Sequence, residues 1–113
     1  MAKLYFKYGV MGSSKSAQAL ITKFNYEERG MTVWLIKPST DTRDGENIIK
    51  SRIGLQSKAE VITPDMNIVD RYHQIEKKDV IIADEAQFFT PAQIDDLRFL
   101  VDEEDLPVLC FGL

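Results

Sequence analysis

The chain is 113 residues long, which is the size of one ordinary domain and enough to bury a hydrophobic core. Hydrophobic residues make up 44% and charged residues 28%, a balance that excludes a disordered chain. The net charge of −4 argues against nucleic acid and against an acidic membrane as partners, because both attract basic surfaces.

The first half of the chain alternates strand and helix patterns. The aromatic segment Lys3–Tyr8 predicts a strand, and the start of the chain indicates neither a secretory leader nor a membrane span. Apolar residues three and four positions apart predict a helix over Lys15–Arg29, ended by Gly30. They are Ala17, Leu20, Ile21 and Phe24. The apolar run Thr32–Pro38 then predicts a strand buried on both faces.

The middle of the chain is less regular. The polar stretch Ser39–Glu60 predicts a long loop with at most one helical turn, followed by a short strand at Val61 and Ile62. Asp65 is expected to cap a helix with one apolar face. That face comprises Ile68, Val69, Tyr72 and Ile75, whereas His73 falls on the solvated side. The run Asp79–Glu85 predicts another buried strand, ending in two carboxylates.

The last third predicts a helix and a closing strand. Thr90, Pro91 and Gln93 have the order of a capping box with proline at the first helical position. The inner face of this helix is Ile94, Leu97, Leu100 and Val101, and the acidic run at residues 102–105 is expected to be solvated. The segment Pro107–Leu113 predicts a strand that buries Cys110 as an inert core residue. As the single cysteine, Cys110 excludes an internal disulfide and a cysteine-rich zinc site in this chain, and it favours the cytoplasm.

Alternation of strands and helices predicts the fold class. The order indicates a three-layer α/β domain over residues 1–113, with a mostly parallel sheet between helices. Ligands of such sheets bind at the carboxyl ends of the strands. Both informative motifs of this chain are expected at that edge.

The first motif is a phosphate-binding loop with one substitution. The pattern G-x-x-x-x-G-K-[ST] is matched by Gly9, Lys15 and Ser16, but Ser14 replaces the second glycine. Backbone N–H groups of the loop and the helix N-terminus attract phosphate. Lys15 supplies a charge for the β- and γ-phosphates, and the Ser16 hydroxyl can bind Mg²⁺.

The second motif is the carboxylate pair after the run Asp79–Ala83. Asp84 occupies the place of a residue that holds the same Mg²⁺, and Glu85 is then available as a base. Each motif alone also fits an ordinary surface turn or a solvated strand end. Their combination, a loop between strand and helix and an acidic pair after a buried strand, indicates a nucleotide site.

With these residues in view, the chain resembles the cellular-type (type II) thymidine kinases, particularly their bacterial members. The resemblance covers nearly the whole chain. It rests on the segments "LYFKYGVMGSSKS", "NYEERG", "DTRDG", "SRIG", "DEAQF" and "PVLCFGL", which follow the family's order.

The resemblance implies a RecA-like P-loop core that transfers the γ-phosphate of ATP to the 5′-hydroxyl of thymidine, with Mg²⁺. Glu85 is the implied catalytic base. The implied ATP-binding residues are Gly9, Val10, Met11, Gly12, Ser13, Ser14, Lys15, Ser16, Asp41, Arg43, Asp84, Ala86 and Gln87, with Arg52 as an addition. Met11 and Phe88 match positions that line the nucleoside pocket, and Ser16 and Asp84 match the metal ligands. Family members are homo-oligomers that act on nucleotides and nucleosides.

Two departures from the family affect the expected activity. The family's lasso loop and cysteine zinc site lie beyond the part that this chain resembles, and Ser14 places a Cβ where the family has glycine. We therefore expect a shortened, impaired thymidine kinase or a degenerate relative. A non-catalytic nucleotide-binding or oligomerising module is one alternative. An NTPase that uses Glu85 to activate water is another.

Overall fold

The core of the fold is a five-stranded parallel sheet, seen in a computed structural model that describes residues 3–8, 15–39, 48–50 and 54–112. The strand order is β1-β7-β6-β2-β5, and all four pairings are parallel. The strands are β1 (Leu4–Tyr8), β2 (Val33–Pro38), β3 (Ile48–Lys50), β4 (Gln56–Lys58), β5 (Glu60–Ile62), β6 (Val80–Ala83) and β7 (Val108–Gly112). The helices are α1 (Lys15–Glu28), α2 (Ile68–Tyr72) and α3 (Pro91–Glu104). The predicted α/β fold class is confirmed.

The two faces of the sheet bury alternate residues of each strand, as the two-residue period of a strand requires. One face packs against α2 and α3 through Trp34, Ile36, Ile81, Ala83, Val108 and Cys110. The other packs against α1 through Leu35, Ile82 and Phe111. All four residues of β6 are fully buried, so this strand lies at the centre of the hydrophobic core.

Helix α1 forms and ends as the sequence predicts, with one exception on its surface. Ala17 and Leu20 are buried, and Gly30 follows the helix at a φ of +82°. The Tyr26 carbonyl, in the last turn of the helix, accepts hydrogen bonds from the N–H groups of both Arg29 and Met31. Ile21, although part of the predicted apolar pattern, is 45% exposed. Its position falls on the flank of the helix, where the sheet no longer covers it.

Helix α3 begins at the predicted capping box. The Thr90 N–H donates to the Gln93 side-chain oxygen, and the Gln93 N–H donates to the Thr90 hydroxyl oxygen. Both hydrogen bonds are 3.1 Å long. The Gln93 side chain is buried, and its Nε2 also donates to the carbonyls of Thr63 and Met66 at 2.8 and 3.1 Å. One buried amide therefore both caps α3 and ties it to the segment before α2.

Three predictions for the middle of the chain are wrong. The stretch predicted as a loop contains an antiparallel pair, β3 with β4, whose strands of three residues are too short for a periodic pattern to reveal. Helix α2 is capped by Asn67, not Asp65, because the Asn67 side chain accepts the Asp70 N–H at 2.9 Å. The Asp65 carboxylate instead accepts a bond from the Thr63 hydroxyl, which lowers the pKa of Asp65. Helix α2 ends at Tyr72, so Ile75 lies beyond it.

The predictions for Cys110 and His73 are also tested. Cys110 is 1% exposed, and this burial raises the pKa of its thiol to about 12, so the group is the neutral, unreactive thiol at physiological pH. The His73 side chain is exposed as predicted, and it also lies 2.5 Å from Glu104, linking α2 to the end of α3.

In the part of the chain that the structure describes, no helix is long and apolar enough to cross a membrane.

Candidate active site

The carboxyl ends of β1, β7 and β6 lie side by side. Tyr8 at the end of β1 pairs with Gly112 at the end of β7, and Ala83 at the end of β6 pairs with Cys110. Because β7 separates β1 from β6, these two strands lie about 10 Å apart, which is two strand spacings. The loop after β1 and the carboxylates after β6 therefore leave the same edge of the sheet.

The residues predicted to bind phosphate lie mainly outside the described part of the chain. Gly9, Val10, Met11, Gly12, Ser13, Ser14, Asp41, Arg43 and Arg52 are outside it, as are the side chains of Lys15 and Ser16. Their roles stay predictions. The structure does describe the backbone that frames them: β1 ends at Tyr8, and the 14-residue helix α1 begins at Lys15. A helix N-terminus of this kind attracts anions through its unpaired N–H groups and its dipole.

Asp84 is the buried member of the carboxylate pair. It is 3% exposed and follows β6 directly, and its backbone N–H donates to the Ile36 carbonyl of β2 at 2.9 Å. This bond extends the pairing of β6 with β2 by one residue and fixes where the Asp84 backbone lies. Burying a charged carboxylate is costly unless partners compensate it. A buried acid at a ligand-binding edge is therefore a strong candidate for a functional group.

Glu85 is the exposed member and has an unusual backbone. Its φ and ψ are 53° and 42°, in the left-handed region that residues other than glycine, asparagine and aspartate rarely adopt. Such strain persists only where the surrounding structure enforces it, and it concentrates at functional sites. The left-handed residue turns the chain sharply at the end of β6.

The turn after Glu85 is held by its own hydrogen bonds and by the core. A 3₁₀ turn spans Ala86–Phe88, in which Phe88 N–H donates to the Glu85 carbonyl and Phe89 N–H to the Ala86 carbonyl, both at 3.1 Å. Ala86 and Phe89 are buried, whereas Gln87 is exposed and the Phe88 ring is 55% exposed. Any contribution of Ala86 to a nucleotide site would therefore come from its backbone.

A magnesium site here would depend on few protein ligands. Among the described residues, no three acidic, histidine or cysteine side chains form a cluster that could hold a metal ion. Mg²⁺ at nucleotide sites, however, takes only one or two protein oxygens and completes its shell with phosphates and water. The Asp84 carboxylate is of the right chemistry and lies at the right edge of the sheet for that role.

A cavity of about 560 Å³ lies at the opposite edge, near the amino ends of β2 and β5. Two of its charged groups pair with each other: Glu60 accepts from the Arg71 guanidinium, and also from the Trp34 indole N–H at 3.2 Å. None of the residues of the two motifs lines this cavity. The carboxyl edge is therefore the better candidate site.

Comparison with known proteins identifies the family of the chain. The family model for thymidine kinase matches residues 2–113. The chain belongs to the thymidine kinase family. It is 42% identical to a thymidine kinase of Vibrio parahaemolyticus and 44% identical to that of Enterobacteria phage T4, in each case over 100% of this chain and 60% of the relative. Its identity to a thymidine kinase of Streptococcus thermophilus is 46%, over 100% of this chain and 58% of that relative.

The chain thus spans about three fifths of the length of the thymidine kinases that it matches. Within this span, two features of the site were not anticipated from the residues. The left-handed backbone of Glu85 has no signal in the sequence, because glutamate does not favour it. Gly112 lies against Gln87 at the end of β7. It was part of a segment that carries the family resemblance, but no role was predicted for it.

The left-handed conformation of Glu85 predicts an unusual order of stability among its variants. Glu85→Gly should have a higher free energy of unfolding than Glu85→Ala, by roughly 1 kcal/mol, because only glycine adopts this backbone without strain. Both variants lack the carboxylate, so the loss of its interactions is the same in each and does not affect the comparison. Chemical denaturation measures the difference.

The exposed helical position Arg98 in α3 is the matched control. There the order should be reversed, with Arg98→Ala more stable than Arg98→Gly by roughly 0.8–1 kcal/mol. If alanine is also the more stable residue at position 85, the left-handed assignment is wrong.

Proposed function

We propose that this chain is the phosphate-transferring core of a thymidine kinase, which moves the γ-phosphate of ATP to the 5′-hydroxyl of thymidine. The observation that carries the proposal is the carboxylate pair Asp84 and Glu85 at the end of β6, two strands from the strand that leads into the P-loop sequence. Family membership over residues 2–113 supports the same chemistry. Pyrimidine deoxynucleoside salvage is the reaction class implied.

The donor side of the site is assigned to the loop and helix after β1. Backbone N–H groups of Gly9–Ser14 and the N-terminus of α1 would bind the phosphates, with Lys15 as a point charge and Asp41 and Arg43 nearby. The Ser16 hydroxyl and the Asp84 carboxylate would hold Mg²⁺. When bound, Mg²⁺ neutralises charge on the phosphates.

The acceptor side is assigned to the turn after β6. Glu85 would accept the proton of the 5′-hydroxyl, which its exposed position at the site edge permits. Phe88 presents an exposed ring three residues further along, and with Met11 it would contact the nucleoside. The backbone of Ala86 and the side chain of Gln87, in the same turn, would contribute to binding ATP. Phosphoryl transfer requires mainly positioning and charge stabilisation, so these few groups suffice.

We infer that the partners are small-molecule nucleotides and nucleosides in the cytoplasm, without nucleic acid, and that the protein is a homo-oligomer. The net charge of −4 supports the first inference. The second is supported by β1, which pairs only with β7 among the described strands and exposes 49% of Tyr5 and 37% of Phe6. Sedimentation equilibrium tests it: a particle of 12.9 kDa would be a monomer and would contradict the inference.

Glu85→Gln should abolish thymidine phosphorylation while leaving ATP affinity nearly unchanged, because the carboxylate serves the acceptor and not the phosphates. Labelled ATP measures the reaction, in the 113-residue chain or in a longer form of the protein that phosphorylates thymidine. Calorimetry measures ATP binding. Loss of a general base costs about 10²–10⁴-fold in kcat.

The exposed glutamate Glu103 on α3 provides the control, since Glu103→Gln removes the same charge far from the site. Retention of more than about a tenth of kcat by Glu85→Gln would refute the role of Glu85 as the base. Hydrolysis of ATP without thymidine would favour an NTPase instead.

Ser14→Gly should tighten binding of Mg²⁺·ATP. Glycine lets the loop N–H groups close around the β-phosphate and removes strain of about 1–3 kcal/mol, which corresponds to roughly 5- to 150-fold in Kd. Calorimetric titration of both forms measures the change. Equal affinity, or tighter binding by the serine form, would show that the loop accommodates Ser14 without loss.

A further inference from the structure

A lysine near the end of β2 is the cross-strand neighbour of Asp84. Ile36 of β2 pairs with Ala83 of β6, and the Asp84 N–H donates to the Ile36 carbonyl. The next residue of β2, Lys37, therefore comes level with Asp84. Adjacent strands lie only about 4.8 Å apart, so position 37 is next to Asp84 at the carboxyl edge of the sheet.

Lys37 and Asp84 also belong to the same face of the sheet. Leu35 of β2 and Ile82 of β6 share a hydrophobic cluster with α1, and residues two apart in a strand lie on one face. Lys37 and Asp84 each follow these residues by two positions, so both lie on the face that α1 covers. Lys37 is half-buried. A lysine stem can pack along the sheet and leave its ammonium where water or a ligand reaches it.

The N-terminus of α1 lies at the level of Lys37. Because α1 links the carboxyl end of β1 to the amino end of the parallel strand β2, it runs antiparallel to both. Ala19 and Leu20, which share the cluster with Leu35, are four and five residues from the start of α1, about 6–7.5 Å along the helix. From Leu35 to Lys37 the strand covers about 6.6 Å. A phosphate bound at this N-terminus would therefore lie level with Lys37.

The charges at this edge favour a lysine as a phosphate ligand. Asp84 and Glu85 place two carboxylates there, and both repel phosphate. Lys7 of β1 pairs with Phe111 on the same face, but β1 is two strands, about 10 Å, from β6. Lys37 is on the strand next to β6. Its ammonium is a compact point charge, which suits phosphate oxygens.

We propose that Lys37 is a phosphate-binding residue of the nucleotide site, whose ammonium contacts the phosphates of ATP beside Asp84 and the N-terminus of α1. The inference rests on the proposed function, in which this edge of the sheet binds ATP. It adds a cation from β2 to the groups that the P-loop sequence supplies after β1.

Lys37→Met tests the proposal, because methionine keeps an apolar stem and removes the ammonium. We expect Kd for Mg²⁺·ATP, measured by calorimetry, to rise about 10- to 150-fold, the value of a hydrogen bond to a charged group. Lys37→Arg keeps the charge and should recover most of the affinity. The control is Lys58→Met, which removes an exposed lysine beside the cavity at the opposite edge and should change Kd by no more than about twofold. Unchanged Kd in Lys37→Met would overturn the proposal.

A second comparison separates contact with phosphate from an effect exerted through Asp84. Binding of metal-free ATP is measured with and without Lys37→Met, both in the original chain and in Asp84→Asn. If the ammonium contacts phosphate, Lys37→Met should weaken binding at least about tenfold in both backgrounds. A loss confined to the chain that retains Asp84 would show that Lys37 only supports that carboxylate, and would overturn the proposal. Chemical denaturation checks that each variant is folded.

Kinetics distinguish this inference from the proposed function. In a form that phosphorylates thymidine, Lys37→Met should raise KM for ATP and leave KM for thymidine within about twofold, because the lysine serves the donor. If such a form binds ATP equally well without the ammonium, the inference fails and the proposed function stands. If the unsubstituted chain binds ATP without phosphorylating thymidine, the proposed transfer fails, and calorimetry still decides the role of Lys37. A chain that does not bind ATP would contradict both.

Discussion

The parallel pairing of β7 with both β1 and β6 is the constraint on which the site depends. This pairing brings Tyr8, Gly112 and Ala83 to one edge of the sheet, so the P-loop sequence after β1 and the carboxylate pair after β6 leave the sheet on the same side. The register is fixed by burial, because Val108 and Cys110 face α2 and α3 while Phe111 faces α1. A slip of one residue would exchange the two faces of β7. The same slip would also move Gly112 away from the turn that begins at Glu85.

The site contains a strained turn that the hydrophobic core holds in place. Asp84 is a carboxylate with 3% exposure, and Glu85 has a left-handed backbone. Directly after them, Ala86 and Phe89 are buried and two backbone hydrogen bonds close the 3₁₀ turn. Apolar burial of this kind contributes about 25 cal/mol per Å², enough to hold a strained residue that costs on the order of 1–3 kcal/mol. Packing thus holds Glu85 in a backbone conformation that its residue type disfavours.

The sequence predicted the features that arise from pattern over many residues. The apolar runs predicted β2 and β6, the three-and-four spacing predicted α1, and the order Thr90-Pro91-Ala92-Gln93 predicted the capping box that the structure contains. Alternation of these elements was enough for the fold class. Because carboxyl ends of parallel strands share an edge, it was also enough to place the carboxylates on the same side as the end of β1.

The features that the sequence did not reveal depend on only a few residues or on contacts between residues that are far apart in the sequence. Strands β3 and β4 have three residues each, too few for a period. Asp65 and Asn67 are both good helix caps, and only the hydrogen bond from Asp70 decides between them. The contact of Gly112 with Gln87 joins positions 25 residues apart in the sequence, so no local pattern encodes it. Glu85 adopts a backbone that its residue type disfavours, which only packing explains.

The central claim, that nucleotide binds at the carboxyl edge of the sheet, is tested most directly by titrating the isotope-labelled chain with Mg²⁺·ATP and following each amide by NMR. The account predicts saturable shifts at the N-terminus of α1, at Asp84–Phe88 and at Gly112. The Trp34 indole and the amides of Lys58 and Arg71, around the cavity at the amino edge, should not move. Shifts centred on that cavity, or no saturable shift at the carboxyl edge, would contradict the account.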